Sequence, residues 1–595
     1  MGKRITSVLS GRLALTRELS SVLVVCMCML FTQSGLGITI PTLDYISRTF
    51  GIDDDPGKQS WLSASYSLLV GTLVLPMGAA GDLLGHKKLV VAGFAWFSLW
   101  SLIAGLSSYS GSHIFFDVCR GFQGMGPAMI LPNGVAILGR LYRAGTTRKY
   151  IAFCAFAAMA PNGFMVAATF SGIFVDRTSI GWPLSFYIFA IALALVAVLG
   201  LLVLPSEAEL LDIHRQHVEQ DRRKKEQTTL TEGEKTAVRP HSSPKPAASS
   251  DSQTHSEAEH PARTDTPSGS ETPRDRSGPG FQEHEEGRPI QPDHVSAMDD
   301  SFSEATTKFD WIGAFLGVSS LLLLNVAWNQ GGVLGWQSPQ TYILLIIGFL
   351  LGGAFVASSF YLEQPLVPRD VWTAENALVL GCVSLGWSSF GIWSFYSYRI
   401  WQVVRGKSVL LSVAYMSPVS ITGIVAAFGT GYLLKGLGPG PVLFISMCAF
   451  LIGSSLIGTM PAQQTYWTAS FFSSLLTPIG MDSSFPSASI ILSDRLPHNR
   501  QGQAGSLVNT CINWSIAIGL GIGGTVEHYI VQHLKEHPDG RSPIEITFKG
   551  YRSAMYVGIG LATLGVLLSA LNWFIIWWES RRDRSESAKE EEKGA

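Results

Sequence analysis

Asp117 and Arg120 stand three residues apart in an otherwise apolar stretch, followed by Gln123-Gly124-Met125-Gly126-Pro127. An ionisable group inside a bilayer costs ~2.5–3.5 kcal/mol, so the few that occur there are the first candidates for function. Three residues apart on a helix, these two share a face and can neutralise each other. Two readings are open: a proton-sensitive pair facing a central cavity, or an ion pair joining helices. A second cluster is Gly78-Ala79-Ala80-Gly81-Asp82-Leu83-Leu84-Gly85-His86-Lys87-Lys88. Its glycines permit close approach of helix ends. Asp82 beside basic residues suits a latch that closes and releases with conformation, with Gly78, Gly85, Lys87 and Lys88 shaping the turn.

These residues need long apolar elements to hold them. Of 595 residues 47% are hydrophobic and only 15% charged, against roughly 25% charge in soluble domains. Mean hydropathy is +0.25. About twenty apolar residues span a bilayer. About fourteen such stretches are expected between residues 21 and 578, with the basic loops falling on one side and both termini cytoplasmic. Arg399, Arg405 and Lys407 break that rule on the outer side. Residues 206–308 are rich in Ser, Thr, Pro and charge and poor in aromatics, which predicts a disordered cytoplasmic linker. The expected organisation is a tail over 1–20, a six-helix half over 21–205, the linker, two added spans over 309–361, a second six-helix half over 362–578 and a tail over 579–595. Pro132–Leu138 and Pro486–Leu492 are similar and each precedes a basic loop, as in internally repeated transporters. The composition excludes a soluble enzyme. A net charge of −2 provides no basic excess to attract nucleic acid. The seven cysteines lie in apolar runs without metal-site spacing and read as small buried hydrophobes. No zinc pattern, hydrolase triad or phosphate-binding loop is present. An ion gradient is therefore the expected energy source, and no cofactor is expected.

The Gly78–Lys88 segment resembles the cytoplasmic loop motif of the major facilitator superfamily, matched at Gly78, Asp82, Gly85, His86, Lys87 and Lys88. Arg120-Gly121-Phe122-Gln123-Gly124-Met125-Gly126 is similar to that superfamily's fourth-span motif. The chain resembles its 14-span drug:proton antiporter branch. Asn325 to Trp336 and Gly480 to Pro486 are similar to the fungal aminotriazole-resistance group. The resemblance implies an all-α major facilitator fold of two six-helix halves with two added central spans. It implies proton-coupled efflux of drugs, toxins or secondary metabolites, with Arg120 in proton coupling. Pro161 and Gly163 mark the counterpart of the antiporter motif; here the run is Ala160-Pro161-Asn162-Gly163-Phe164-Met165, which keeps the motif's proline but has Phe164 and Met165 in place of its paired glycines. Thr32 occupies a first-span position that is acidic in many relatives, which leaves Asp117 and Asp482 as candidate proton carriers.

The expected substrate surface is polar and aromatic: Thr32 and Gln33 in the first span, Gln123 in the fourth, Asn162 in the fifth, Trp387 and Phe390 in the ninth, and Asn509 and Asn513, four apart on one face, in the thirteenth. Trp387 and Phe390 serve equally well as core packing. The expected partners are a small-molecule substrate, protons and the lipid bilayer, in a monomer at the plasma membrane or, alternatively, the vacuolar membrane. A carrier of a small polar solute such as borate, or a nutrient sensor on a transporter fold, is also compatible with the sequence.

Overall fold

The computed structural model describes residues 2–142, 146–210, 212–213, 309–495 and 501–594. The linker expected over 206–308 lies, beyond residue 213, outside the described residues. The first half contains α1 (Gly2–Gly37), the short α2 (Leu43–Thr49), α3 (Pro56–Leu84), α4 (His86–Leu106), α5 (His113–Leu141), α6 (Thr147–Arg177) and α7 (Trp182–Val203). Then come the added helices α8 (Trp311–Leu334) and α9 (Pro339–Tyr361). The second half contains α10 (Ala374–Arg399), α11 (Val409–Met416), α12 (Pro418–Leu437), α13 (Pro439–Thr459), α14 (Ala469–Asp494), α15 (Gln501–Glu536) and α16 (Pro543–Gly594).

Local sequence sets the helix starts. Asp55 caps α3 by accepting the Lys58 amide at 3.1 Å, with Pro56 at the first helical position. Thr373 and Ser408 cap α10 and α11 in the same way. Among the described residues fourteen helices have twenty residues or more, and twelve candidate spans meet a strict test of length and apolarity for crossing a membrane, against about fourteen expected. The other two are α5 and α14. They contain the internal prolines Pro127, Pro132, Pro478 and Pro486, with Asp117, Arg120 and Asp482. The helices least suited to lipid are the ones that hold the candidate chemistry, and the bundle buries them.

Alternating up and down, the helices bring the first and last to the same end of the bundle, here called the terminal end. The two halves meet where α3 packs on α15 and α6 on α12, while α8 packs outside on α15 and α3 and α9 packs on α8. Small residues permit these contacts. A β-carbon on Gly71 would sit 2.5 Å from the Trp514 backbone nitrogen. Within the first half, one on Gly163 would sit 2.8 Å from backbone carbons of Leu30 and closer still to its oxygen. Gly163→Ala must therefore push α6 away from α1. We expect a loss of about 1–3 kcal/mol, the usual range for overpacking. Thermal unfolding in detergent checks it, and an unchanged melting temperature would show that the two helices have room to spare.

Candidate functional site

Arg120 is fully buried and ties four helices together. Its Nη2 donates to the Gly35 carbonyl of α1 at 2.8 Å and its Nε to the Leu62 carbonyl of α3 at 3.4 Å. Its Nη1 donates to Gln123 Oε1, and Gln123 Nε2 continues to Ser101 of α4 at 2.7 Å. The Tyr66 ring lies 4.6 Å from the guanidinium carbon, and the Tyr66 hydroxyl donates to the Thr32 carbonyl at 2.7 Å.

This geometry corrects three expectations. Arg120 forms no ion pair with Asp117. The arginine stem runs inward to the carbonyls of α1 and α3, whereas Asp117 stays near the start of α5, 3.5 Å from His113 Nδ1 one turn earlier. Asp117 lines a groove between α3, α5 and α8, away from the space between the halves. Gln123 is equally absent from that space, because both ends of its amide are used inside the first half. Asn162 is absent too; its Nδ2 turns back to the Ala158 carbonyl at 2.7 Å.

The remaining candidates converge. Thr32 and Gln33 of α1, Trp387 of α10, Asp482 of α14, and Asn509 and Asn513 of α15 line one cavity of about 450 Å³ between the halves. Phe153, Phe156 and Phe485 supply apolar wall. A few convergent polar groups on an apolar wall is the usual character of a small-molecule site. Asp482 is 8% exposed, and its Oδ2 has no hydrogen-bond partner. It lies where the halves touch. A β-carbon on Gly423 of α12 would clash with the ring of Pro161 and sit 3.3 Å from Asp482 Oδ2. Beside it, Trp387 Nε1 donates to Ser484 at 3.0 Å, and Thr430 and Ser483 share a hydrogen bond of 2.7 Å. Phe390 lies off the main space, in a narrow extension of about 30 Å³ toward the far end.

The cavity reaches the terminal ends of α6, α12 and α14, at Thr146, Lys149, Leu434 and Ile490. The far end is closed. Arg399 at the end of α10 pairs with Asp44 of α2 and donates to Gln59 of α3 at 2.7 Å, and Gln402 donates to the Pro41 carbonyl at 2.8 Å. Arg405 binds the Ala462 carbonyl at 2.8 Å. Two of the three basic residues that broke the charge rule thus hold specific acceptors, so they report packing and not topology.

The Gly78–Lys88 turn departs from the expected latch between halves. Asp82 is 67% exposed and, among the described residues, pairs within its own half: with Arg140 at 3.1 Å and His86 at 3.4 Å. Arg140 also pairs with Glu207, and Lys87 donates to the Leu204 carbonyl at 2.6 Å. Gly85 has a φ of +95°, which a side chain would strain. Gly78 is the residue that faces the other half: a β-carbon there would lie 3.2 Å from Ser506 Oγ. An exposed pair contributes ~0–1 kcal/mol. Asp82→Asn should therefore leave unfolding almost unchanged, while Arg140→Ala, which loses Asp82 and Glu207 together, should cost measurably more; equal effects would show that Glu207 contributes nothing.

His533, Glu536 and His537 bring their ligating atoms within 4.8 Å at the exposed end of α15. No hydrogen bond orients these imidazoles among the described residues, in contrast to the held histidines of established metal centres.

A sequence profile of the Major Facilitator Superfamily matches residues 25–520 and again 419–595. The chain belongs to the Major Facilitator Superfamily. It is 38% identical to the low affinity ammonium transporter of Saccharomyces cerevisiae, covering 96% of this chain and 91% of that protein. It is 33% identical to the efflux pump terJ of Aspergillus terreus, over 93% and 88%. It is 31% identical to the aminotriazole resistance protein of S. cerevisiae, over 93% and 84%. This major facilitator protein is therefore a multi-pass membrane transporter that fits the aminotriazole-resistance-like group. Sequence reasoning missed the Asp44–Arg399 closure, although the misplaced basic charge was its signal, and missed Tyr66, which no pattern marks.

Proposed function

We propose that this transporter exports small organic molecules in exchange for protons, by alternating access, as a monomer in the plasma membrane with the terminal end cytoplasmic. The observation that carries the reading is the cavity: open at the terminal end, closed at the far end, and bearing one buried carboxylate with an unpartnered oxygen. Asp482 can bind a proton or a cationic group there, and Trp387 and the phenylalanines suit planar, lipophilic cargo. The names of the efflux pump and resistance relatives agree with export, and the basic turn at Lys87 and Lys88 agrees with a cytoplasmic terminal end. The driving force is the ion gradient, at ~2.3 kcal/mol per charge per 100 mV. A panel of drugs and metabolites in efflux-deficient cells, with and without a protonophore, tests this. We expect lower accumulation of a subset, reversed by the protonophore. The ammonium transporter relative favours a second reading, a small cation bound at Asp482. Accumulation unchanged across the whole panel, together with ammonium-dependent growth that requires Asp482, would replace the first reading with the second.

A further inference from the structure

The far-end charge cluster takes no part in the cavity chemistry. Arg399 is 6% exposed, and both acceptors of its guanidinium, Asp44 and Gln59, belong to the other half. Its own half offers it the face of Tyr551, 5.5 Å to the ring centroid, which has no formal charge. When the halves part at the far end, Arg399 loses both acceptors at once. A buried guanidinium stripped of its carboxylate is strongly disfavoured. Asp44 is better placed, because Arg48 of the same short helix lies 3.6 Å from its Oδ2 and stays with it.

One carboxylate on the side of Arg399 answers the need. Glu527 of α15 is 3% exposed and accepts the Tyr396 hydroxyl at 2.7 Å. Tyr396 lies three residues before Arg399 on α10, on the same face. Tyr396 thus holds Glu527 beside the face of α10 that carries Arg399, yet Glu527 and Arg399 form no ion pair among the described residues. Its acidity is unused in the closed state. We propose that Glu527 is a positioning residue that receives Arg399 when the far end opens, so that opening exchanges one carboxylate for another instead of rupturing an ion pair. Tyr396 holds Glu527 in readiness on the element that delivers Arg399. This rests on the alternating-access reading above.

The test reads far-end opening without measuring export. Ser394 lines the narrow extension beneath the cluster and is 6% exposed. Labelling of Ser394→Cys by a membrane-impermeant maleimide from the far side is followed at that position by mass spectrometry. Glu527→Gln should slow labelling about tenfold, the size of coupling between neighbouring charged groups. Glu527→Asp, which keeps the charge, should restore most of the rate. Arg399→Gln should raise the rate, and Glu527→Gln should change nothing further in that background, because no charge is left to strand. Wild-type labelling in Glu527→Gln overturns the proposal, and so does an equal slowing with and without Arg399, which would make Glu527 a packing residue. Size-exclusion profiles establish folding for each variant. A failure of every cargo assay would sink the export reading and leave this test unaffected.

Discussion

In Asp482→Asn, a pH gradient is expected to stop driving cargo uphill. One proton exchanged per molecule lets each pH unit sustain about a tenfold solute gradient, since one unit is worth ~1.36 kcal/mol. The asparagine has the same shape and cannot take up and release a proton. In proteoliposomes with a one-unit gradient, the steady-state cargo ratio should fall from about ten to about one, while downhill exchange of cargo continues. Stability should not suffer, because a buried carboxylate oxygen without a partner is expensive and an amide removes the charge. A variant that keeps the full gradient would move the proton to another acid, Asp117 or Glu527, neither of which lines the cavity. Gly423→Ala is an independent probe, because it crowds the same carboxylate from α12 without changing any charge.

Much of this was legible before any coordinates. The long apolar stretches become long helices, twelve of them apolar enough to cross a membrane among the described residues, because a spanning helix is a one-dimensional signal of length and hydropathy. Thr32, Gln33, Trp387, Asp482, Asn509 and Asn513 meet in one cavity, because polar groups that lipid rejects have to face the bundle interior. What failed depends on direction. Sequence spacing places Asp117 and Arg120 on one helix face, but a long arginine side chain chooses among all acceptors within reach, and the carbonyls of Gly35 and Leu62 took it. Gln123 looked like a substrate contact for the same reason and became the arginine's anchor. Glu527 was hidden by its place near the outer end of an apolar run: α15 continues past it to Glu536 and draws that acid into the closed far end. Asp44 and Arg399 are 355 residues apart, a separation at which no local pattern can pair them.

The second large effect is expected at Arg120. Arg120→Ala leaves a void where α1, α3, α4 and α5 meet and strips Gln123 of its partner. Each buried group left unsatisfied costs ~1–3 kcal/mol, and the cavity adds to that. We expect little monodisperse protein. Arg120→Lys separates architecture from proton chemistry. Lysine keeps the charge but lacks the planar fork that reaches Gly35, Leu62 and Gln123 together. Among the described residues Arg120 has no carboxylate in ion-pair range, so its role here is to hold the first half in register around Tyr66 and Thr32. Melting temperature and export should then fall in step, with the Lys variant between wild type and Ala. Export abolished in Arg120→Lys at an unchanged melting temperature would contradict that, and would place the arginine directly in the proton cycle.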